Sequence, residues 1–169
     1  MANPKVTILI ATYNRAQYLG RAIESAEAQT FKDWEMIVVE DGSPDNTKEV
    51  VAGYAAKDPR VRLLSIPRAG RIAIVSNAAL REARGEYVAI LDDDDWWLDE
   101  KKLEKQIAFL DTHPDYAACG GGIVTVDPEG KETGRVLKPE TDESIRRRLL
   151  YANPMANLTT MFRHWICVE

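Results

Sequence analysis

Long apolar runs, paired cysteines and an excess of positive charge are all missing from this chain of 169 residues. No stretch approaches the roughly 20 apolar residues that a helix needs to cross a bilayer, so no membrane span is expected. The opening run Val6-Thr7-Ile8-Leu9-Ile10 is too short for the core of a signal peptide and leads straight into Thr12-Tyr13-Asn14-Arg15. Cys119 and Cys167 are the 2 cysteines, with no second Cys or His at metal-ligand spacing around either. They are expected to be buried, reduced thiols of a cytoplasmic protein. A formal net charge of −5 argues against broad binding to nucleic acid or to an anionic membrane. It leaves room for a small basic pocket that holds phosphate, and for peripheral membrane association. Apolar residues at 45% and charged residues at 29% are an ordinary globular balance. With no internal repeat and no low-complexity linker, residues 1–169 read as one domain.

What the chain does have is Asp92-Asp93-Asp94-Asp95, set directly after Tyr87-Val88-Ala89-Ile90-Leu91. Adjacent carboxylates repel one another, and a strand would carry them to the mouth of a buried element. Hard divalent cations such as Mg²⁺ or Mn²⁺ prefer oxygen ligands, and Asp-x-Asp at a strand end offers two carboxylates to one ion. A polar turn whose acids cap the following helix fits the same spacing. Spacing alone does not choose between the two.

The first two-thirds of the chain alternates short apolar runs with helix-period segments, the pattern of βαβ units around a parallel sheet. Strands are predicted at Val6–Thr12, Trp34–Glu40, Val61–Ser65 and Tyr87–Asp92. Four helices are predicted between and after them, with core faces Leu19/Ile23/Ala26, Val50/Val51/Tyr54, Ile72/Val75/Ala79 and Leu103/Ile107/Leu110. The last ends before Pro114. Beyond it, Tyr116–Val126 reads as a strand interrupted by Gly120-Gly121-Gly122. Asp127-Pro128-Glu129-Gly130 reads as a turn, with Thr133–Leu137 pairing back. Asp142–Tyr151 reads as a helix and Leu158–Phe162 as a further strand. The fold class is α/β, with a mixed-sheet C-terminal part.

Open α/β sheets bind ligands beyond the C-terminal ends of their strands. Here those ends carry Thr12-Tyr13-Asn14-Arg15, Glu40-Asp41-Gly42-Ser43, Arg68-Ala69-Gly70-Arg71 and the acidic run, all on one rim. Each group suits part of a nucleoside diphosphate. Tyr13 offers a face for a base, and Asp41 accepts from a base N–H or a ribose hydroxyl. Gly42 lets a backbone approach closely. Arg71 stands at a helix start, where free N–H groups already favour an anion, and adds a bidentate phosphate contact. The Asp cluster would then hold the cation that neutralises the diphosphate. Singly, each has an ordinary explanation: Tyr13 as core, Asp41–Asp45 as a turn, Asp45 or Asn46 as a helix cap, Arg68 and Arg71 as solvated cations.

Three segments in order also carry a resemblance: Val6–Arg15, Val38–Thr47 and Ala83–Asp95. They resemble the N-terminal signature of family 2 glycosyltransferases, inverting enzymes of GT-A fold that use nucleotide-diphospho-sugars. The likeness runs from Val6 to about Leu110, with a looser echo in Asn153–Arg163. It implies a GT-A-type αβα sandwich around a mostly parallel, Rossmann-like sheet. Residues 1–113 would form the nucleotide-sugar half and 114–169 part of the acceptor side. It further implies that Thr12, Tyr13, Asn14, Arg15, Asp41, Gly42 and Arg71 line the nucleotide site, with Asn77 near the phosphates. Val75-Ser76-Asn77 departs there from the family's Ala-Arg-Asn form. Asp92 and Asp94 would be the metal motif for Mn²⁺ or Mg²⁺, Asp94 the direct ligand, with Asp93 nearer the ribose and sugar. The donor would be a nucleotide-diphospho-sugar, a UDP-sugar in the first instance, and the acceptor a saccharide or lipid-linked hydroxyl.

The family's general base is an acid on a helix downstream of the strand that Thr159–Phe162 resembles, and no such pair follows here. The expectation is therefore a donor side without its base. The rival expectations are a non-catalytic nucleotide-sugar binding module and a nucleotidyltransferase. The latter carries a Gly-rich basic loop after its first strand, where this chain has Ala11–Arg15.

Overall fold

The structure is a computed structural model and describes residues 3–167. Strands β1 (Val6–Thr12), β2 (Trp34–Asp41), β3 (Val61–Ile66) and β4 (Tyr87–Ile90) are parallel and form most of a six-stranded sheet. Two short strands, β5 (Ala118–Cys119) and β8 (Met161–Arg163), extend it, with β8 antiparallel to both β4 and β5. The spatial order is β3-β2-β1-β4-β8-β5. The chain thus runs outward from β1 through β2 to β3, then returns to β4 on the other side of β1. A crevice opens at such a reversal, beyond the C-terminal ends of β1 and β4.

Helices cover both faces. Against one face, α1 (Ala16–Glu27), α2 (Thr47–Ala55) and α4 (Lys102–Thr112) bury Leu19, Ile23, Val51, Leu103 and Ile107 on Ile8, Ile10, Met36, Val38 and Tyr87. Against the other, α3 (Ile72–Glu82) buries Val75 and Ala79 on Leu9, Ile37, Val39 and Val88. With both faces covered, β2 is buried along its whole length, which explains its unbroken apolar run Met36–Val39.

Register is pinned at the N-terminal end of the sheet. The Glu35 carboxylate is 2% exposed. It accepts bonds from Thr7 Oγ1 at 2.9 Å, the Arg84 backbone N–H at 2.8 Å, Arg84 Nε at 2.9 Å and Arg62 Nη2 at 3.1 Å. Thr7 Oγ1 in turn accepts from Gly85 N at 2.9 Å. A Cβ on Gly85 would lie 2.4 Å from Thr7 N, so only glycine fits where β4 begins beside β1.

Several sequence expectations are corrected. Ile72 is 69% exposed, because α3 meets the sheet only from Val75 onward. The predicted strand over Tyr116–Val126 is two strands in different sheets: Gly120–Gly122 separates β5 from β6 (Ile123–Val126), which pairs with β7 (Glu132–Val136) as an isolated hairpin. Helix α5 (Asp142–Arg148) stops short of Tyr151 after a capping box between Thr141 and Ser144. The strand predicted over Leu158–Phe162 is a 3-10 turn at Asn157–Thr159 followed by β8. Both cysteines are free, but Cys167 is exposed and Cys119 half-buried. Among the described residues no helix is long and apolar enough to cross a membrane.

Burial raises the Glu35 carboxyl, but bonds from Arg84 and Thr7 and the Arg62 charge outweigh it and hold the group below its ordinary value of 4.5. A depressed carboxylate stabilises the fold above its unfolded pKa, and that stability is lost as pH falls through the folded one. Glu35→Gln is expected to cost about 2–3 kcal/mol at pH 7, with a gap that narrows below pH ~4. Chemical denaturation at the two pH values measures this; a pH-independent gap would contradict the assignment.

Candidate functional site

Most of what the sequence placed on the rim meets at the reversal between β1 and β4. After β1 the chain turns sharply at Asn14, whose φ of 54° is the single positive non-glycine value among the described residues. Asn tolerates this left-handed conformation. The Asn14 backbone N–H donates to Ser43 Oγ at 3.0 Å, which ties the β1 loop to the β2 loop. Behind Ser43 lies Glu40, 0% exposed, which accepts from Ser65 Oγ at 2.6 Å and from the Ser43 backbone N–H. Asp45 accepts from Ala16 N at 3.0 Å and Thr47 Oγ1 at 2.5 Å, so it joins the starts of α1 and α2. Asn46 is the N-cap residue of α2, with no side-chain cap bond.

The acidic run forms a turn closed by Asp95 N to Asp92 O at 3.2 Å. Trp97 clamps its far side, through its backbone N–H to Ser25 Oγ at 3.1 Å and its indole N–H to Leu158 O at 2.7 Å. Helix α4 begins at Lys102, well past the run, so these acids do not cap it. Burial, then the charges of Asp95, Asp94 and Asp93, push Asp92 up to about 6. Burial first also raises Asp93 and Asp95. Among the described residues one cation stands within ion-pair reach of the run: Arg15, whose Nη1 pairs with Asp94 and lies 3.9 Å from Asp93 Oδ1. The Thr12 hydroxyl is buried beside Asp93, where it partly offsets the rise of that carboxyl, and among the described residues it makes no hydrogen bond of ordinary geometry.

This donor set suits a hard divalent cation in one specific way. No three His, Cys, Asp or Glu side chains among the described residues converge on one point. An all-protein cage is therefore absent, while two carboxylates completed by ligand phosphate oxygens match the ordinary coordination of Mg²⁺.

Tyr13 and Asp41 face each other across Arg68. The Arg68 guanidinium carbon lies 3.5 Å from the Tyr13 ring centroid, and its Nη1 pairs with Asp41. Asp41 also accepts from Ala69 N at 2.6 Å and Gly70 N at 3.1 Å. Burial raises the Asp41 carboxyl, but these N–H donors and Arg68 outweigh it and hold it low. Gly42 is required for a different reason from the one its sequence suggested. Its φ is +68°, and a Cβ there would meet the Arg68 backbone N at 2.9 Å.

Arg71 and Asn77 are not drawn into this cluster. Arg71 is exposed at the N-cap position of α3 and Asn77 exposed on that helix. Among the described residues neither side chain has a hydrogen-bond or ion-pair partner. Sequence reasoning placed Arg68, Glu40 and Ser43 among the rim residues but gave none of them a task, with solvation as the ordinary alternative for Arg68. The signal for Arg68 was its place between Gly42 and Gly70, two loops that must pass close together. Concavities of about 290 Å³ beside Pro4 and Glu86 and about 800 Å³ beside Gly120–Gly122 lie elsewhere, and neither includes Tyr13, Asp41 or the acidic run.

Comparison with known proteins places this geometry. The profile of Glycosyl transferase family 2 matches residues 7–165. EpsE of Bacillus subtilis (strain 168) is 33% identical over 163 residues, which cover 96% of this chain and 57% of EpsE. The chondroitin synthase of Pasteurella multocida (strain Pm70) is 46% identical over 93 residues, 55% of this chain and 10% of that protein. Among solved structures, S. aureus TarS in complex with UDP-GlcNAc superposes with a TM-score of 0.68 at 24% identity, over 95% of this chain and 45% of that one. The mannosyltransferase PcManGT from Pyrobaculum calidifontis, in complex with GDP-Man and Mn²⁺, gives 0.67 at 23% identity, over 96% and 45%. The fold is thus that of the GT-A glycosyltransferases. The chain spans little more than half of EpsE and under half of the structural neighbours.

Asp92 supplies a test independent of any ligand. A raised carboxyl pKa favours the folded state below the unfolded value of 3.8, and that contribution is lost as pH rises through about 6. In metal-free buffer, Asp92→Asn is expected to stabilise the protein by on the order of 1–2 kcal/mol at pH 7.5, after allowance for solvent screening. The gain should vanish near pH 4. Thermal melts that show no gain at either pH would mean that the run is already neutralised.

Proposed function

The chain belongs to glycosyl transferase family 2, and on that premise we propose that it carries the donor site of a metal-dependent, inverting glycosyltransferase. The donor is a nucleotide-diphospho-sugar and the acceptor a saccharide or lipid-linked hydroxyl. The observation that carries the reading is the meeting of Tyr13, Asp41 and the under-neutralised Asp92–Asp95 run at one sheet reversal. The names of the neighbours agree with it: one is bound with GDP-Man and Mn²⁺, another with UDP-GlcNAc. The synthase that shares 46% identity over 93 residues supports a role in polysaccharide assembly. Two free cysteines fit a reducing, cytoplasmic setting.

Each residue then has a task. Tyr13 stacks on the base, and Asp41 accepts its N–H. Gly42 keeps the β2 loop close to the third loop, and the Thr12 hydroxyl bonds the nucleoside. Asn14 and Arg15 complete the β1 side. Arg71, at the start of α3, and Asn77 on the same helix offer donors to the diphosphate, reinforced by the helix N-terminus. Asp93 stands nearer the ribose and sugar. Asp92 and Asp94 are the metal ligands, Asp94 the more accessible of the two. When bound, Mn²⁺ or Mg²⁺ supplies the positive charge that stabilises the departing nucleoside diphosphate as the sugar C1–O bond breaks. The acceptor oxygen attacks from the opposite face of the sugar. Residues 1–113 serve the nucleotide and 114–169 the acceptor side.

A thermal-shift screen of nucleotide-sugars with and without Mn²⁺, followed by transfer assays on the donors that bind, tests the reading. Stabilisation by UDP or GDP should require the cation, and Asp94→Asn should lose that requirement while folding normally. Equal affinity in excess EDTA would sink the metal role. Binding without turnover would leave a donor-binding module.

The base slot makes its own forecast. Tyr13→Ala is expected to weaken nucleoside diphosphate binding by about 1–3 kcal/mol and Tyr13→Phe to leave it nearly unchanged, by the usual worth of base–aromatic stacking. Calorimetry on the folded variants decides; unchanged affinity in Tyr13→Ala would return Tyr13 to a structural role.

A further inference from the structure

The Arg68 side chain touches two surfaces at once, and they are the two that a nucleobase would need. Its planar guanidinium lies on the Tyr13 ring, 3.5 Å from the centroid. Its Nη1–H points into the Asp41 carboxylate, to Oδ2. A base stacked on Tyr13 with a ring N–H toward Asp41 would present the same flat π-face and the same donor. We propose that Arg68 is a resident stand-in for the base, which an incoming nucleotide must displace. The inference rests on the donor-site reading and adds to it a residue that sets the threshold for nucleotide binding.

The surrounding backbone is built to survive that exchange. Asp41 also accepts from Ala69 N on Oδ1 at 2.6 Å and from Gly70 N on Oδ2 at 3.1 Å, bonds that do not involve the guanidinium. The loop is therefore anchored by its main chain, and only the side chain has to move. Glycines at φ +68° (Gly42) and +67° (Gly70) flank the contact, and the Gly42 Cα carries no Cβ that would push on the Arg68 backbone. Arg68 itself has a 46% exposed side chain, so its departure opens no cavity in the core. A cation–π contact and a charge-assisted hydrogen bond are both lost when it leaves. A base that offers a stacked ring and an N–H replaces both. A bare diphosphate has no reason to disturb Arg68.

That asymmetry is the test. Titrate parent protein, Arg68→Met and Arg68→Lys with UDP, GDP and inorganic diphosphate, each with Mn²⁺. Arg68→Met should bind UDP or GDP about three- to tenfold more tightly, the equivalent of about 0.7–1.4 kcal/mol, with diphosphate affinity unchanged within about twofold. Arg68→Lys, which keeps the stem and charge but not the planar fork, should fall between. If Arg68→Met binds nucleotide equally or more weakly, Arg68 is not a competitor. If its nucleotide and diphosphate affinities fall together, Arg68 serves the phosphates and the proposal is overturned. If no protein binds any nucleoside diphosphate, the donor-site reading fails and takes this inference with it, an outcome distinct from equal binding by all three.

Discussion

Like-charge repulsion at the end of a buried strand governs this molecule. Asp92 through Asp95 follow β4 at the point where the sheet reverses direction; burial raises the carboxyls of Asp92, Asp93 and Asp95, while Asp94 stays exposed beside Arg15. Folding alone does not relieve the repulsion, since among the described residues Arg15 is the one cation in ion-pair reach, and it reaches Asp93 and Asp94 alone. The β4 end is fixed by the Leu91 N–H on Leu9 O at 3.0 Å, and the far side of the run by Trp97. The run is left with negative charge that its one arginine neighbour does not match, and this is the charge that the proposed cation would offset.

Two arginines moderate that state in the free protein, from opposite sides. Arg15 sits on Asp94, and Arg68 sits on Asp41 and Tyr13. Both side chains are near half exposed, at 45% and 46%, so each can leave at little structural cost. Each also holds a position that the donor-site reading gives to a ligand part: Arg15 where a cation would coordinate, Arg68 where a base would stack. The free protein thereby avoids exposing an unpaired carboxylate and a bare aromatic face in the same crevice. Ligand binding becomes an exchange of partners rather than the filling of a gap, with affinity set by the difference between the two.

Much of this was legible in sequence because period and position carry the information. The unbroken apolar runs of β1 and β2 could only be strands covered on both faces, and their C-terminal residues had to share a rim. The acidic run announced itself by composition. Arg68 and Ile72 were not legible for opposite reasons. Arg68 looked solvated because its partners, Tyr13 and Asp41, lie on two other loops, and no local pattern records a contact between three loops. Ile72 kept perfect helical spacing, yet α3 meets the sheet only from Val75 onward, a fact of placement that periodicity cannot hold. The split at Gly120–Gly122 was visible as an interruption, but not that its two halves join different sheets.

The two ends of the sheet solve the same electrostatic problem in opposite ways. At the N-terminal end, Glu35 is almost fully buried, yet two arginines, a threonine hydroxyl and a backbone N–H saturate it, and its pKa falls. At the C-terminal end, Asp92 has comparable reason to be neutralised and no cation within ion-pair reach among the described residues, and its pKa rises. A fold able to satisfy the first carboxylate had the means to satisfy the second. An under-neutralised cluster of this kind is a candidate for a place where stability is given up for binding, which is the role the proposed function gives it. On the proposed function, the acids at this rim with the fewest protein partners are those given a cation, whereas Asp41, already saturated by its loop, is one whose partner has to be exchanged.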